Sequence, residues 1–342
     1  MTILQKIPWP LAENRSQGRL LFVCRYLPTN KRISLRALCA CGEITNFMEV
    51  KVMDYEFVLY KKEGQVAYIT LNRPERLNAV SPELVRDWSA AMDEAEEDDD
   101  IKVIVFKGAG RAFSAGADLT GVGFVYGMKE PKPGEKGTLS RIPQRVKLKF
   151  DRNLFLEFHR KVLLCPKLTI AQMHDYCLGI AFNIVLHCDL LIASEDCRLG
   201  HVEERLGQGG MTISPIMILR CGLTRAMDLC LTGKMITGKQ AADYNLINRA
   251  VPKEILDDEV RDLANGLALY PKDGIAIGKV TRHMIYQTMG VESGLVDHFI
   301  MHSFQTNKVY DPDEYNFFKQ RRDKGVREAA HEKHDLFKAL DK

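Results

Sequence analysis

The chain of 342 residues has no uninterrupted apolar run near the roughly 18 residues that a membrane-crossing helix needs. Its longest candidate, residues 184–193, is broken by His187 and Asp189, which argues against a membrane protein. An excess of charge is missing too. The 48 Lys and Arg side chains against 45 Asp and Glu leave a formal +3, so no nucleic-acid footprint shows at this level. The nine cysteines lack paired spacing. Only Cys39 and Cys41 stand close together, and a C-x-C pair without a second pair or a histidine partner gives no metal-site pattern. Apolar surroundings, as at Cys188 and Cys230, point instead to reduced, buried thiols and a cytosol-like compartment. No internal repeat is evident. What remains is ordinary for a globular protein: 46% hydrophobic and 27% charged residues, enough for a sizeable core.

Charge is distributed unevenly along the chain. Residues 1–52 carry eight Lys/Arg against three Glu, a net +5, which leaves −2 for the remainder. An acid-poor, arginine-bearing leader suits an organellar transit peptide, which would place the protein in an organellar matrix. Without a sustained amphipathic period, the preferred reading of residues 1–53 is a disordered extension or an upstream start, with a cytoplasmic protein proper beginning near residue 54.

From there the pattern is regular. Residues 57–60 and 66–71 read as a strand hairpin around Glu63-Gly64. Ser81-Pro82 opens a helix, serine as cap and proline at its first position. Residues 101–106, 168–171 and 189–193 read as buried strands, and strands alternating with helices indicate an α/β layered fold. Residues 121–149, rich in Gly, Pro and Lys, read as an inserted loop or lid. Residues 253–342 read as helical, with the highly charged stretch 317–334 as a solvated face.

Three segments in order carry a resemblance. They are LNRPERLNA at 71–79, GRAFSAGADL at 110–119, and the stretch from the Leu231-Thr-Gly step through Ala241-Ala to LINRAVP at 246–252. Together they resemble the crotonase (enoyl-CoA hydratase/isomerase) superfamily over roughly residues 56–252. The resemblance implies a spiral of ββα turns forming two stacked sheets wrapped by helices. A helical C-terminal region that makes homotrimers, often paired into hexamers, would follow. It also implies an acyl-CoA substrate bound with its thioester oxygen on two backbone N–H groups, an oxyanion hole for a developing enolate. No cofactor is implied beyond the coenzyme A that arrives with the substrate, and no metal.

By the same resemblance the first donor is the N–H of Ala117. Ala115, Ala117, Asp118 and Leu119 would lie on the coenzyme A side, with Arg76 and Leu77 flanking the nucleotide or pantetheine. For Arg76 a plain surface arginine is an equally good reading. The second donor falls on Ile180 in LGIAFN at 178–183, where the family shows a run of glycines. Ser114 reads as a capping or packing residue.

Family hydratases hold and activate one water between two glutamates. Here the first of these positions is Asn183, which can hold a water but takes no proton at neutral pH. The second is Glu203 in GHVEERLG at 200–207, and it is the candidate acid/base, whereas Glu204 reads as a solvated turn residue. A single carboxylate suits a 1,3-proton shift through a dienolate; hydration would need another group, for which His174 (equally well read as a strand-end histidine) and Asp175 are candidates, with His201 in a supporting role beside Glu203. His201 is otherwise a turn histidine in solvent, and His187 a core residue. Hydrolytic C–C or thioester cleavage is the alternative chemistry, and an inactive RNA-binding protein a distant third. The insertion following the Ala117 turn suggests an acyl group bulkier than a short linear chain, cyclic or aromatic.

Overall fold

The computed structural model describes residues 55–119, 143–207, 209–210, 213–305 and 308–341, together with the backbone of three strands before residue 52. The chain divides into two units, Met1–Asp54 and Tyr55–Lys342. In the first, β1 (Leu21–Tyr26), β2 (Arg32–Leu38) and β3 (Phe47–Lys51) pair antiparallel in that order.

The second unit opens with the expected hairpin. Strands β4 (Val58–Glu63) and β5 (Val66–Leu71) pair antiparallel, and Gly64 turns the chain at φ +58°. Ser81 caps helix α1 (Pro82–Glu97), its side chain accepting from the Leu84 amide at 3.3 Å. Strands β6 (Val103–Gly108), β7 (Leu168–Met173), β9 (Leu190–Ser194) and β12 (Arg249–Val251) then add in parallel. The resulting six-stranded sheet has the order β12-β9-β7-β6-β5-β4. A smaller sheet joins β11 (Ile236–Thr237), β10 (Arg198–Gly200) and β8 (Tyr176–Leu178).

Alternation along the strands sorts their side chains between two cores. In β6, Ile104 and Phe106 face the main core with Trp88, Met173 and Phe182. Val103 and Val105 face the other way, onto Val260 and Ala264 of a helix over Leu256–Leu267. A strand buried on both faces has no polar side, which is why it reads as a continuous apolar run in the sequence.

The remaining helices wrap this frame. They are α2 (Gln144–Asp151), α3 (Phe158–Leu164), α4 (Gly179–Val185), α5 (Pro215–Thr232) and α6 (Gly238–Asp243). Then follow α7 (Leu256–Leu267), α8 (Lys272–Thr288), α9 (Val291–Gln305), α10 (Phe317–Lys324) and α11 (Val326–Leu336). A π-helical turn over Arg152–Glu157 links α2 to α3.

Two expectations need correction. The end of the expected loop is helical, since α2 begins at Gln144; residues 121–142 lie outside the described residues. The charged stretch 317–334 is more than a solvated face. Phe317 and Ala329 are fully buried and Arg321 nearly so, and they pack with Leu206 against Leu119. Arginine and lysine stems cover apolar surface while their heads stay polar, so a charge count hides such docking. Among the described residues no helix is long and apolar enough to cross a membrane, and no cluster of potential metal ligands occurs.

Candidate active site

Two chain segments meet at the start of α4. The first is the turn that follows β6. Between Phe113 and Asp118 its amides are nearly all used: Phe113 donates to His174 O at 3.1 Å, Ser114 to Tyr176 O at 2.9 Å, Ala115 to Leu77 O at 2.9 Å, and Asp118 to Val80 O at 2.9 Å. Gly116 donates to Ser114 Oγ at 3.2 Å. The N–H of Ala117 is the exception, with no acceptor among the described residues. Ser114 Oγ donates to Asn78 O at 2.7 Å, the packing role expected of it.

The second segment is the start of α4. The Leu178 amide donates to Ser114 O at 3.0 Å, which lays the two segments side by side. Gly116, at φ +90°, packs so closely that an added Cβ would stand 2.9 Å from Leu178 O. Leu178 caps α4 in extended conformation and offers no side-chain acceptor. The first N–H groups of the helix, that of Ile180 included, therefore have no partner within it. The two N–H groups expected from the sequence thus lie on adjoining segments and are both unengaged.

Glu203 comes to the same place on a 3₁₀ turn, Val202–Leu206. Its carboxylate lies against Gly179, where an added Cβ would stand 2.7 Å from Oε2. That oxygen is buried and has no partner, while Oε1 lies 3.8 Å from His201 Nδ1. Asn183 is one turn along α4 from Gly179, hence on the same side of the helix, and is 3% exposed with Oδ1 unpaired.

The structure revises several neighbours. His201 is fully buried against Phe182, with both ring nitrogens unpaired, and is not a solvated turn residue. Glu204 is buried as well: its Oε2 accepts from the Gly210 amide at 2.6 Å and ties the turn shut. His174 and Asp175 are engaged elsewhere, His174 with Gly110 O at 3.0 Å and Asp175 with Lys253 at 2.6 Å. His187 is a core residue as expected, and burial pushes its pKa down to about 4.

Of the residues expected to flank coenzyme A, Arg76 is exposed at the end of a 3₁₀ turn and Leu77 is partly buried at φ +49°. Ala115 and Leu119 are partly buried, and Leu119 O accepts from Arg321. The Asp118 carboxylate pairs with Arg73 at 3.1 Å. Sequence reasoning missed two residues here. Arg73 also donates to Ala79 O at 2.7 Å. Asn78, fully buried at φ +51°, donates to Ala109 O at 2.9 Å and Ala112 O at 2.8 Å while accepting from the Arg73 amide. An asparagine between two turn-forming segments was the available signal, because asparagine tolerates the left-handed region and hydrogen-bonds nearby backbone.

Helix α11 supplies one further group. Burial lowers the pKa of Lys333 to about 8, and the nearby Glu203 carboxylate partly offsets that by favouring the charged form.

The family model for enoyl-CoA hydratase/isomerase matches residues 61–308. A putative enoyl-CoA hydratase of Thermus thermophilus is 31% identical over 235 residues, covering 68% of this chain and 86% of that protein. A hydroxycinnamoyl-CoA hydratase-lyase of Pseudomonas fluorescens is 30% identical over 206 residues, 60% of this chain and 70% of that protein. The crystal structure of an enoyl-CoA hydratase/isomerase from Xanthobacter autotrophicus Py2 superposes with a TM-score of 0.70 at 28% identity, covering 83% of this chain and 99% of that one. With its ordered motifs, its mixed sheets and its helical C-terminal region, the chain belongs to the enoyl-CoA hydratase/isomerase family and has the crotonase fold.

Proposed function

We propose that the protein acts on an acyl-CoA by forming and quenching an enolate next to the thioester, with Glu203 as the proton carrier. One observation supports this above the others: two unengaged N–H groups, of Ala117 and Ile180, on adjoining segments with a buried carboxylate oxygen against the Gly179 beside them. Removal of a carbon-bound proton drives negative charge onto the thioester oxygen. Fixed donors at that oxygen need no reorganisation as the charge develops, and one such donor is worth on the order of 3 kcal/mol in a water-poor site. In a 1,3-shift Glu203 takes that proton and returns it to another carbon of the dienolate; in hydration it would instead take a proton from the water whose oxygen adds at the β-carbon and deliver one to the α-carbon.

Asn183 favours the first course, a 1,3-proton shift, because an amide holds a water without activating it by proton removal. The relative that acts on hydroxycinnamoyl-CoA lends some support to an aromatic acyl group. Self-association into trimers or hexamers is in keeping with the exposed apolar side chains Leu223, Met227 and Leu231, four residues apart in the part of α5 that follows the kink at Gly222. The free cysteines among the described residues, mostly buried, suit a reducing compartment.

The test is incubation with a panel of acyl-CoAs, read by product mass. Isomerisation leaves the mass unchanged, hydration adds one water, and hydrolysis gives two fragments. Glu203→Gln should lower turnover by roughly 10²–10⁴-fold while coenzyme A binding persists. Full activity in that variant would remove Glu203 from the reaction.

A further inference from the structure

The backbone of α4 also walls a second, interior space. A cavity with about 10 Å³ of room, what one ordered water needs, is lined by His159 of α3, Asn183 of α4, His187 in the turn after α4, Ser214 at the start of α5, and His298 of α9. Four buried polar atoms of these residues have no partner in the protein: His159 Nε2, Asn183 Oδ1, Ser214 Oγ and His298 Nδ1. Buried polar atoms are seldom left so, and four on one small cavity ask for a common partner.

Their hydrogen-bonding characters are complementary to one molecule. His159 Nδ1 lies 3.1 Å from Leu154 O, and a carbonyl only accepts, so Nδ1 carries the proton and Nε2 presents a lone pair. Asn183 Oδ1 is likewise an acceptor. Ser214 donates through its hydroxyl, and a neutral His298 donates through Nδ1 in one tautomer. Burial holds both imidazoles neutral, pushing His298 down to about 3. Two acceptors and two donors around a water-sized space match the two hydrogens and two lone pairs of water.

The orientation of Asn183 follows. Its Oδ1 is sealed inside, whereas its Nδ2 is absent from the sealed atoms and makes no hydrogen bond among the described residues. We propose that His159, Ser214 and His298 clamp one buried water onto Asn183 Oδ1, and that this fixes the amide with its NH2 group presented to the acyl group as a donor. The last step rests on the acyl-CoA reading of the site. His159, Ser214 and His298 are then positioning residues. The position that carries a carboxylate in a two-acid hydratase becomes a held donor, able to steady an oxygen but unable to accept a proton from water.

Two measurements test this separately from the reaction. A high-resolution crystal structure of the full chain at neutral pH, without substrate, should show one water within about 3.2 Å of Asn183 Oδ1, His159 Nε2 and at least one of the other two atoms. An anomalous scatterer at that point, an empty cavity or one closed by side-chain collapse would overturn the clamp. Ser214→Ala should lower kcat on the acyl-CoA that is turned over by about tenfold with KM and melting temperature little changed, and Ser214→Thr, which restores a hydroxyl, should recover it. Unchanged kcat in Ser214→Ala would end the positioning role. If the wild-type chain turns over no acyl-CoA, the reading of the site fails, while the crystallographic water still decides whether the clamp exists.

Discussion

The two turns that frame the site are held by different parts of the molecule. The Ala117 turn is tied to segments of the main fold on either side of it in the chain: Asn78 bonds Ala109 and Ala112, Arg73 grips Asp118 and Ala79, and Ser114 bonds Tyr176 and Leu178. The Glu203 turn is tied largely to the far end of the chain. Arg205 donates to Thr232 O at 2.9 Å and pairs with Asp341, Lys308 donates to Gly207 O, and Leu206 packs on Phe317 and Ala329. The Ala117 and Ile180 amides proposed as oxyanion donors are thus part of the frame, whereas Glu203, the proposed acid, sits on a turn held by the C-terminal helices. Donors that hold a developing charge gain from rigidity, because reorganisation during the reaction costs energy. An acid held by a docked cap instead depends on that cap being in place.

Gly179 is where the two turns touch, and changing it should have the largest effect. Gly179→Ala places a Cβ 2.7 Å from Glu203 Oε2 at a φ of +56°, so either the carboxylate or the start of α4 must shift. Turnover should fall by about 100-fold or more, since a displacement near 1 Å at reacting groups has that cost. Steady-state kinetics at wild-type level would show that the carboxylate moves aside without consequence.

Cutting a tie on each side sharpens the contrast. Asn78→Ala leaves two buried carbonyls and one amide without partners at a backbone geometry alanine disfavours, and should destabilise the fold by about 3 kcal/mol in urea melts. Asp341→Ala removes one partner of the buried Arg205, which keeps its bond to Thr232 O, and should cost about 1–2 kcal/mol, less than Asn78→Ala. Its effect should instead appear as a raised KM or a lowered kcat, if the cap seats Glu203. Equal losses of stability from the two substitutions would erase the distinction between frame and cap.

The same contrast explains what the sequence revealed. The Ala117 turn is legible where its constraints are local. Gly116 at φ +90° and the buried strand β6 just before the turn leave marks within a few residues, whereas its ties to Arg73, Asn78 and Tyr176 do not. Glu203 could be placed by its glycine-flanked turn, although the burial of His201 and Glu204 beside it could not, since those environments come from α4 and from residues after the turn. The cavity histidines lie on two helices and in the turn after a third, far apart in the chain, and a single sequence carries no record of which helices face each other. The docking of α10 and α11 was hidden for another reason: a stretch rich in Lys, Arg and Glu reads as solvated even when its stems pack.

Lys333 offers the mildest way to probe the cap. Its pKa of about 8 in the fold lies below the ordinary 10.5, because burial disfavours the ammonium more than Glu203 favours it. Between those two values the unfolded chain binds more protons than the folded one, so stability rises with pH across that window. Below about pH 8 the lysine is charged in both states and the full penalty applies; above 10.5 it vanishes. Lys333→Gln should therefore stabilise the protein at pH 7, by about 1 kcal/mol after allowance for partial exposure, with the gain shrinking as pH rises from 8 to 10.5. Melting temperatures of the two proteins across that range check it. Destabilisation by Lys333→Gln at pH 7 would mean that the attraction to Glu203 outweighs desolvation, making this lysine a tie between cap and acid comparable to Arg205–Asp341.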